Sequence, residues 1–281
     1  MTPFDHPSVR RLVELALDED VGRGDATSEA TIDPSTRAFG IVMAREPLVF
    51  AGGPILGAIV QASRRSVGID IKCDEGLAVG SDTVVAEMRG PATDLLAIER
   101  VSLNFLQRIS GVATQTRRYV EAIAGTRAKI IDTRKTLPGW RLLDKYAVVT
   151  GGGANHRFGL DDGVLIKDNH IVACGGVRQA IERARAKTHH LLAIEIECDT
   201  LEQVDEALAA GARAILLDNM PPADLAAAVQ KIGGRAVTEA SGGITLENVR
   251  AIAETGVDLV SVGALTHSAR SADLAVDLTV D

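Results

Sequence analysis

The chain has 281 residues, 46% of them hydrophobic, enough to bury a core in one large α/β domain or two smaller ones. A formal net charge of -8 excludes a nucleic-acid binder, because counterion release needs a continuous basic surface, so the cations of this chain have to act locally. Aromatic residues make up only 3%, which excludes stacked-base recognition and aromatic cages.

The opening segment predicts a helix around Val9 to Leu17, followed by short strands such as FGIVMAR and VVAEMRG between glycine and proline turns. Residues 1–110 therefore read as an α+β sandwich domain, rejoined by the C-terminal segment 269–281. No basic-then-apolar signal pattern precedes it, and no apolar run is long enough to span a bilayer. A cytoplasmic location with no membrane partner is the expectation. Cys73, Cys174 and Cys198 are odd in number, widely spaced and without a CxxC, which suits a reducing compartment and small buried hydrophobes better than disulfides.

A long helical stretch follows, ATDLLAIERVSLNFLQRISGVATQTRRYVEAIAG, with apolar residues at helical spacing and Gly111 as the expected break, which puts the domain boundary near Ser110. Arg117 and Arg118 on this stretch, like Arg183 and Arg185 further on, are expected to be solvated helix faces.

From residue 111 to 268 one unit repeats: an apolar β-branched run, a polar residue at its end, a loop and an amphipathic helix. The runs are AKIIDT, GVLIKD, LAIEIEC, RAILLD, RAVTEAS and DLVSVG, a pattern that suits parallel strands covered on both faces. Thr200 and Thr245 are predicted N-caps, and Gly211 and Gly256 predicted helix stops. Polar residues gather at the C-terminal strand ends, and the last two strands close on SGGI and VGA, where glycines let backbone N–H groups approach a phosphate. The fold expected is therefore an N-terminal α+β sandwich followed by an incomplete, six- to seven-stranded α/β barrel.

Between Asp132 and His170 the chain packs DTRKTLPGWR, GGGANHRFGL and VLIKDNH into one stretch, with Arg134, Lys135, Arg157 and Lys167 all at strand ends or in glycine-rich turns. Such a concentration of cations calls for an anionic ligand. Alternation along LAIEIEC puts Glu195 and Glu197 on one face, and Glu197 with Asp218 offers the hard oxygen ligands that suit a Mg²⁺ bridging phosphates. Glu195 is left open between the metal's surroundings and a salt bridge. Of the histidines, His156 is the candidate for anion binding, His6, His189 and His190 read as surface residues, and no spacing suggests zinc. His267 reads either as a substrate-side residue or as a group that caps or packs the last helix.

The blocks DEDVGRGDAT, ERVSLNFLQRISGVAT, DTRKTLPGWR, GGGANHRFGL, IKDNH, EIEC, LLDN, SGGI and VGALTHS, in this order across essentially the whole chain, resemble the quinolinate phosphoribosyltransferase family. The resemblance implies transfer of the phosphoribosyl group of 5-phosphoribosyl 1-pyrophosphate (PRPP) to quinolinate with decarboxylation, dependent on Mg²⁺. It implies that Arg134, Arg157 and Lys167, with His156 and Thr133 beside them, bind quinolinate, and that Arg100 reaches in from the other subunit of a homodimer, with a hexamer as a further step. It also implies that Lys135, Glu197 and Asp218 hold the donor and its metal, with Ser241, Gly242, Gly243, Val262, Gly263 and Ala264 around the phosphate. Lys135, Lys167, Glu197 and Asp218 are the expected catalytic groups, and Asn169, His170 and Asn219 stand behind them. Leu137 and Trp140 depart from the family's turn, Trp140 either covering the pocket mouth or packing structurally. Two alternative readings are a pyrophosphorylase-like relative associated with molybdate transport and a sugar-phosphate barrel lyase using Lys167 as a Schiff-base amine. A phosphate sensor without turnover is a weaker fit, since it needs no carboxylate pair beside the cations.

Overall fold

The computed structural model describes residues 3–280. Met1, Thr2 and Asp281, included in the predicted N-terminal domain and its returning segment, lie outside the described residues. In chain order the elements are α1 (Pro7–Asp20), α2 (Ala26–Thr31), β1 (Arg37–Ala44), β2 (Leu48–Val49), α3 (Ile55–Ser63), β3 (Gly68–Ile71), β4 (Ala78–Val79), β5 (Val84–Pro91) and α4 (Ala92–Ala122). They continue with β6 (Lys129–Ile131), α5 (Arg141–Thr150), β7 (Val164–Ile166), α6 (Asp168–Cys174), α7 (Val177–Lys187), β8 (Ile194–Cys198), α8 (Leu201–Ala209) and β9 (Ala214–Asp218). The last are α9 (Pro222–Ile232), β10 (Val237–Ser241), α10 (Val249–Glu254), β11 (Leu259–Ser261), α11 (Ala264–His267) and β12 (Leu274–Val280). The chain divides into two units: one runs through Arg117 and takes in Thr136–Gly152 and the chain from Thr266 onward, and the other comprises Arg118–Lys135 and Gly153–Leu265.

In the first unit, His6 accepts the Ser8 amide and Pro7 starts α1, which buries Val9, Val13 and Leu17 as their helical spacing requires. The antiparallel sheet has the order β12-β1-β5-β3. Along β1, Ala38, Val42 and Ala44 are buried and alternate with half-exposed residues, the period of a strand covered on one face. The C-terminal strand β12 pairs antiparallel with β1, Ala44 opposite Leu274.

Helix α4 runs unbroken through Gly111, contrary to the expected break. A Cβ at Gly111 would lie 2.1 Å from the Arg270 carbonyl oxygen, so this glycine is a contact position where a backbone crosses the helix. Arg117 is likewise no solvated face: its guanidinium donates to the carbonyls of Gly151 at 3.0 Å and Gly76 at 3.3 Å. Arg108 pairs with the buried Asp144 at 3.0 Å; burial raises the Asp144 carboxyl above its usual range and Arg108 opposes that rise. Trp140 stacks on Phe105 with ring centroids 4.8 Å apart, a packing role within this unit.

The second unit is built on a parallel six-stranded sheet in the order β6-β11-β10-β9-β8-β7, made by the six runs predicted. Beyond β6, among the described residues, pairing is limited to a single bridge between Ile131 and Ala154, a one-residue stand-in for a seventh strand, so the barrel is incomplete. Thr200 caps α8 in a reciprocal box with Gln203. Helix α10 starts later than predicted: Asn248 stands at its N-cap, and the Thr245 amide donates to the Asn248 side chain. Arg185 is exposed, as expected of a solvated helix face, and its guanidinium also donates to the carbonyls of Ala210 and Gly211 at the end of α8. Cys198 is buried, but Cys73 and Cys174 are only half-buried, and all three are free. Among the described residues, no helix is long and apolar enough to cross a membrane.

Candidate functional site

Strand alternation decides which side chains reach the middle of the parallel sheet. Ile166, Ile196, Cys198, Ile215, Leu217, Ala240 and Val260 are buried on the face that packs under the helices. The alternate positions, Leu165 and Lys167, Glu197, Leu216 and Asp218, Glu239 and Ser241, and Ser261, line a cavity of about 540 Å³ at the C-terminal strand ends. The loops complete it with Thr133, Arg134 and Lys135 after β6, His156 and Arg157 beyond Ala154, and Asn219, Gly242 and Gly243.

Local bonds hold these loops in place. Asp132, fully buried at the end of β6, accepts the His156 amide at 2.9 Å and so ties the two cationic turns together. Arg157 donates to the Gly163 carbonyl at 2.7 Å, and Asp162 accepts the amides of Phe158 at 2.7 Å and Gly159 at 2.9 Å. The Lys167 amide donates to His170 Nδ1 at 3.0 Å, which makes His170 a cap of α6. Gly242, with φ +92, passes so close to Asn219 that an added Cβ would lie 2.1 Å from its side-chain oxygen.

The electrostatics divide the cavity. Burial, and then the like charge of Arg134, push the Arg157 guanidinium below its usual pKa, the state of a cation cluster arranged for an anion. On the other side, Lys167 Nζ lies 3.2 Å from Glu197, and the ligand oxygens of Glu197, Asp199 and Asp218 fall within 4.8 Å of one another. Burial raises the carboxyls of Glu197 and Asp218, with Asp199 adding to the rise at Asp218. Crowded, partly desolvated carboxylates of this kind fit a hard divalent cation.

Beneath them, His156 Nε2 contacts Glu195 at 3.1 Å and Glu239 at 3.7 Å. Glu239 is 2% exposed, and burial, followed by the charge of Glu195, lifts its carboxyl to about 8 while His156 opposes the rise.

The structure thus brings Thr133, Arg134, Lys135, His156, Arg157, Lys167, Glu197, Asp218, Ser241, Gly242 and Gly243 to one cavity. Val262, Gly263 and Ala264 do not line it, and the Val262 amide donates to the Ile131 carbonyl. Arg100 is exposed on α4, in the first unit. Glu195 sits beside His156 rather than beside Lys167. His267 is exposed and contacts its neighbour Ser268 at 2.6 Å. Sequence reasoning missed Asp132, Asp199, Ser261 and above all Glu239, although the alternation in RAVTEAS puts Glu239 on the same face as Ser241. A second cleft of about 1000 Å³, at the N-terminal ends of β8, β9 and β10, is lined by Arg185, His189, His190 and Arg213 without any carboxylate.

Residues 25–110 match the model of the quinolinate phosphoribosyl transferase N-terminal domain, and residues 112–277 that of its C-terminal domain. The chain is 44% identical over 277 residues to a probable nicotinate-nucleotide pyrophosphorylase (carboxylating) of Bacillus subtilis, covering 99% of this chain and 96% of that protein. It is 43% identical over 287 residues to the nicotinate-nucleotide pyrophosphorylase (carboxylating) of Mycobacterium leprae, covering 99% of this chain and 100% of that protein. The crystal structure of nicotinate-nucleotide pyrophosphorylase from Ehrlichia chaffeensis superposes with a TM-score of 0.91 at 41% identity, covering 96% of this chain and 98% of the other.

Proposed function

The chain belongs to the quinolinate phosphoribosyl transferase family, and on that premise we propose how the cavity of its parallel sheet divides the work. The reaction is transfer of the 5-phosphoribosyl group of PRPP to quinolinate with loss of CO₂, giving nicotinate mononucleotide and pyrophosphate in NAD biosynthesis. Arg134, Arg157 and Lys167, with His156 and Thr133, hold the quinolinate carboxylates, the arginines by two-pronged bonds. Lys135, Glu197 and Asp218 hold the donor, and Ser241 to Gly243 cradle its phosphate. Glu197 and Asp218 would hold a Mg²⁺, which would supply charge neutralisation for the departing pyrophosphate.

The observation that carries this assignment is the meeting of Arg134, Arg157 and Lys167 with Glu197 and Asp218 around one cavity. Two polyanions can be bound there side by side. As the bond from C1 of the ribose to pyrophosphate breaks, Lys135 and Lys167 offset the charge leaving, and the carboxylates tolerate the oxocarbenium-like carbon. The pyridine nitrogen then bonds to C1, and its positive charge stabilises the electron pair left on the adjacent ring carbon when the carboxylate departs as CO₂. Positioning does most of this work, and no covalent enzyme intermediate is needed. The Schiff-base alternative is disfavoured because the Lys167 side chain is 49% exposed and paired with Glu197, whereas a nucleophilic amine needs desolvation.

The proposal extends to a homodimer in which Arg100 completes the partner's site, and to the cytoplasm, the reducing setting that suits three free thiols. The test is turnover of purified protein with quinolinate, PRPP and Mg²⁺, followed as nicotinate mononucleotide, with nicotinate and nicotinamide as parallel substrates. Product from the dicarboxylate alone is the expected result. Product from nicotinate, or from no pyridine at all, would refute the proposal.

A further inference from the structure

We propose that Glu239 is the acid that returns a proton to carbon 2 of the pyridine ring after the carboxylate has left. The inference rests on the functional reading above and adds a step for which none of the cationic residues is suited. Loss of CO₂ leaves the electron pair of the broken C–C bond on carbon 2, beside the quaternary nitrogen. Unless a proton arrives, that carbanion recaptures CO₂ and the step reverts. The Glu239 O–H bond breaks, a C–H bond forms at carbon 2, and Glu239 is left as a carboxylate that takes a proton from solvent as product leaves.

The geometry singles out this side chain. Glu239 lies on β10 at the centre of the sheet, lines the cavity and is 2% exposed. Its Oε1 is buried without a hydrogen-bond partner, an unusual state for a carboxyl group and one that a ligand in the cavity would relieve. The titratable groups facing it are His156, from the loop after Ala154, at 3.7 Å and Glu195 of β8; across the same cavity stand Arg134, Lys135, Arg157, Lys167, Glu197 and Asp218. Burial first, and then the charge of Glu195, raise the Glu239 carboxyl to about 8 while His156 opposes the rise, so it meets the substrate as a neutral acid. An ionised Glu239 would repel the quinolinate dianion. The neutral form does not, and an acid with a pKa near neutrality is well matched to proton transfer. Once the proton is given up, the charge of Glu195 disfavours the Glu239 carboxylate and drives its reprotonation.

The test separates the two chemical steps in single turnovers: pyrophosphate release reports the new C–N bond, and nicotinate mononucleotide reports decarboxylation and protonation. In Glu239→Gln, pyrophosphate release is expected to stay within a few-fold of wild type, the dicarboxylated nucleotide to accumulate, and mononucleotide formation to fall by about 100-fold or more. Glu239→Asp, which keeps a transferable proton, is expected to recover part of the rate. In wild type, the decarboxylation step is expected to slow as pH rises through about 8, a limb absent from Glu239→Gln. Equal slowing of both steps in the glutamine variant, or a wild-type rate of product formation, overturns the proposal. If the variants fail to fold, a wild-type decarboxylation step flat across that pH range overturns it. Wild-type protein that makes no nucleotide from quinolinate sinks the functional reading and this step with it, whereas active wild type with an unaffected variant sinks the step alone.

Discussion

Replacing Gly111 by alanine tests whether the long helix is governed by its own propensity or by what crosses it. In a solvated helix interior the change would stabilise by about 1 kcal/mol. Here the new Cβ would lie 2.1 Å from the Arg270 carbonyl oxygen and 3.1 Å from the Ala272 nitrogen, both backbone atoms. To relieve that overlap, the segment from Arg270 must move off α4 by about an ångström, a shift of the overpacking kind. The Ala272 amide would then lose its 2.9 Å bond to the Gln107 carbonyl, and the Gln107 side chain its 2.8 Å bond to the Leu274 carbonyl. At about 1 kcal/mol for each bond, plus about 1–3 kcal/mol for overpacking, the expected net loss is about 2–4 kcal/mol. Urea unfolding measures it: with a slope of about 3 kcal/mol per molar, the midpoint falls by about 1 M. Gly57→Ala, inside α3 with nothing within 4 Å of the added carbon, is the control and is expected to raise stability by about 0.5–1 kcal/mol. A Gly111→Ala protein as stable as wild type would refute the reasoning.

Arg157→Lys keeps the charge but loses the fork, and is expected to cost about 2–4 kcal/mol of transition-state binding, read as a drop in kcat/KM for quinolinate with KM for PRPP nearly unchanged; equal effects on both substrates would contradict the assignment. Glu197→Gln and Asp218→Asn should each raise the Mg²⁺ concentration for half-maximal activity by about tenfold or more, since each removes a charged oxygen ligand. Because burial raises both carboxyls, protons should compete with the metal at higher pH than at ordinary carboxylates, so the Mg²⁺ requirement rises as pH falls; a requirement independent of pH would argue against these ligands. Glu239 holds its proton more tightly folded than unfolded, so its contribution to stability is full below the unfolded value near 4.5 and is lost as pH rises through about 8. Melting temperatures of wild type and Glu239→Gln should therefore diverge between pH 5 and 9, with wild type falling faster, and parallel curves would count against the buried acid. An Arg100→Ala protein mixed with an Arg134→Ala protein should regain activity by forming one intact shared site; no recovery despite subunit exchange would remove Arg100 from the partner's site.

The parallel strands were legible because each is a β-branched run closed by a polar residue, a pattern set by burial on both faces. The cation turns were legible because glycines and arginines together have few structural uses. What failed did so where a partner distant in sequence decides the outcome. Gly111 looks like a helix break until the Arg270 backbone is seen lying against it. Arg117 looks solvated until the carbonyls it serves, at Gly151 and Gly76, are placed beside it. Thr245 loses the N-cap to Asn248 because the chain needs another turn after Gly243 before it can enter α10. Glu239 was hidden for a different reason: one acid inside an apolar run reads as the strand's polar exception, and only its unpartnered oxygen and its two titratable neighbours make it stand out.

The gap in the barrel bears on what the substrate does for the protein. Arg134 follows β6 and Lys167 follows β7, the strands at opposite ends of the sheet, and Arg157 lies just beyond Ala154, which extends β6 by a single bridge. The three cations proposed to hold the dicarboxylate thus belong to the open seam, whereas Glu197, Asp218 and Glu239 belong to the well-paired strands between. A dicarboxylate gripped by all three cations would act as a rivet across the seam, and its binding energy, growing as RT ln(1 + [L]/Kd), would be delivered where the sheet has fewest hydrogen bonds of its own. The ring left unfinished by the polypeptide would be completed, turnover by turn, by the molecule it consumes.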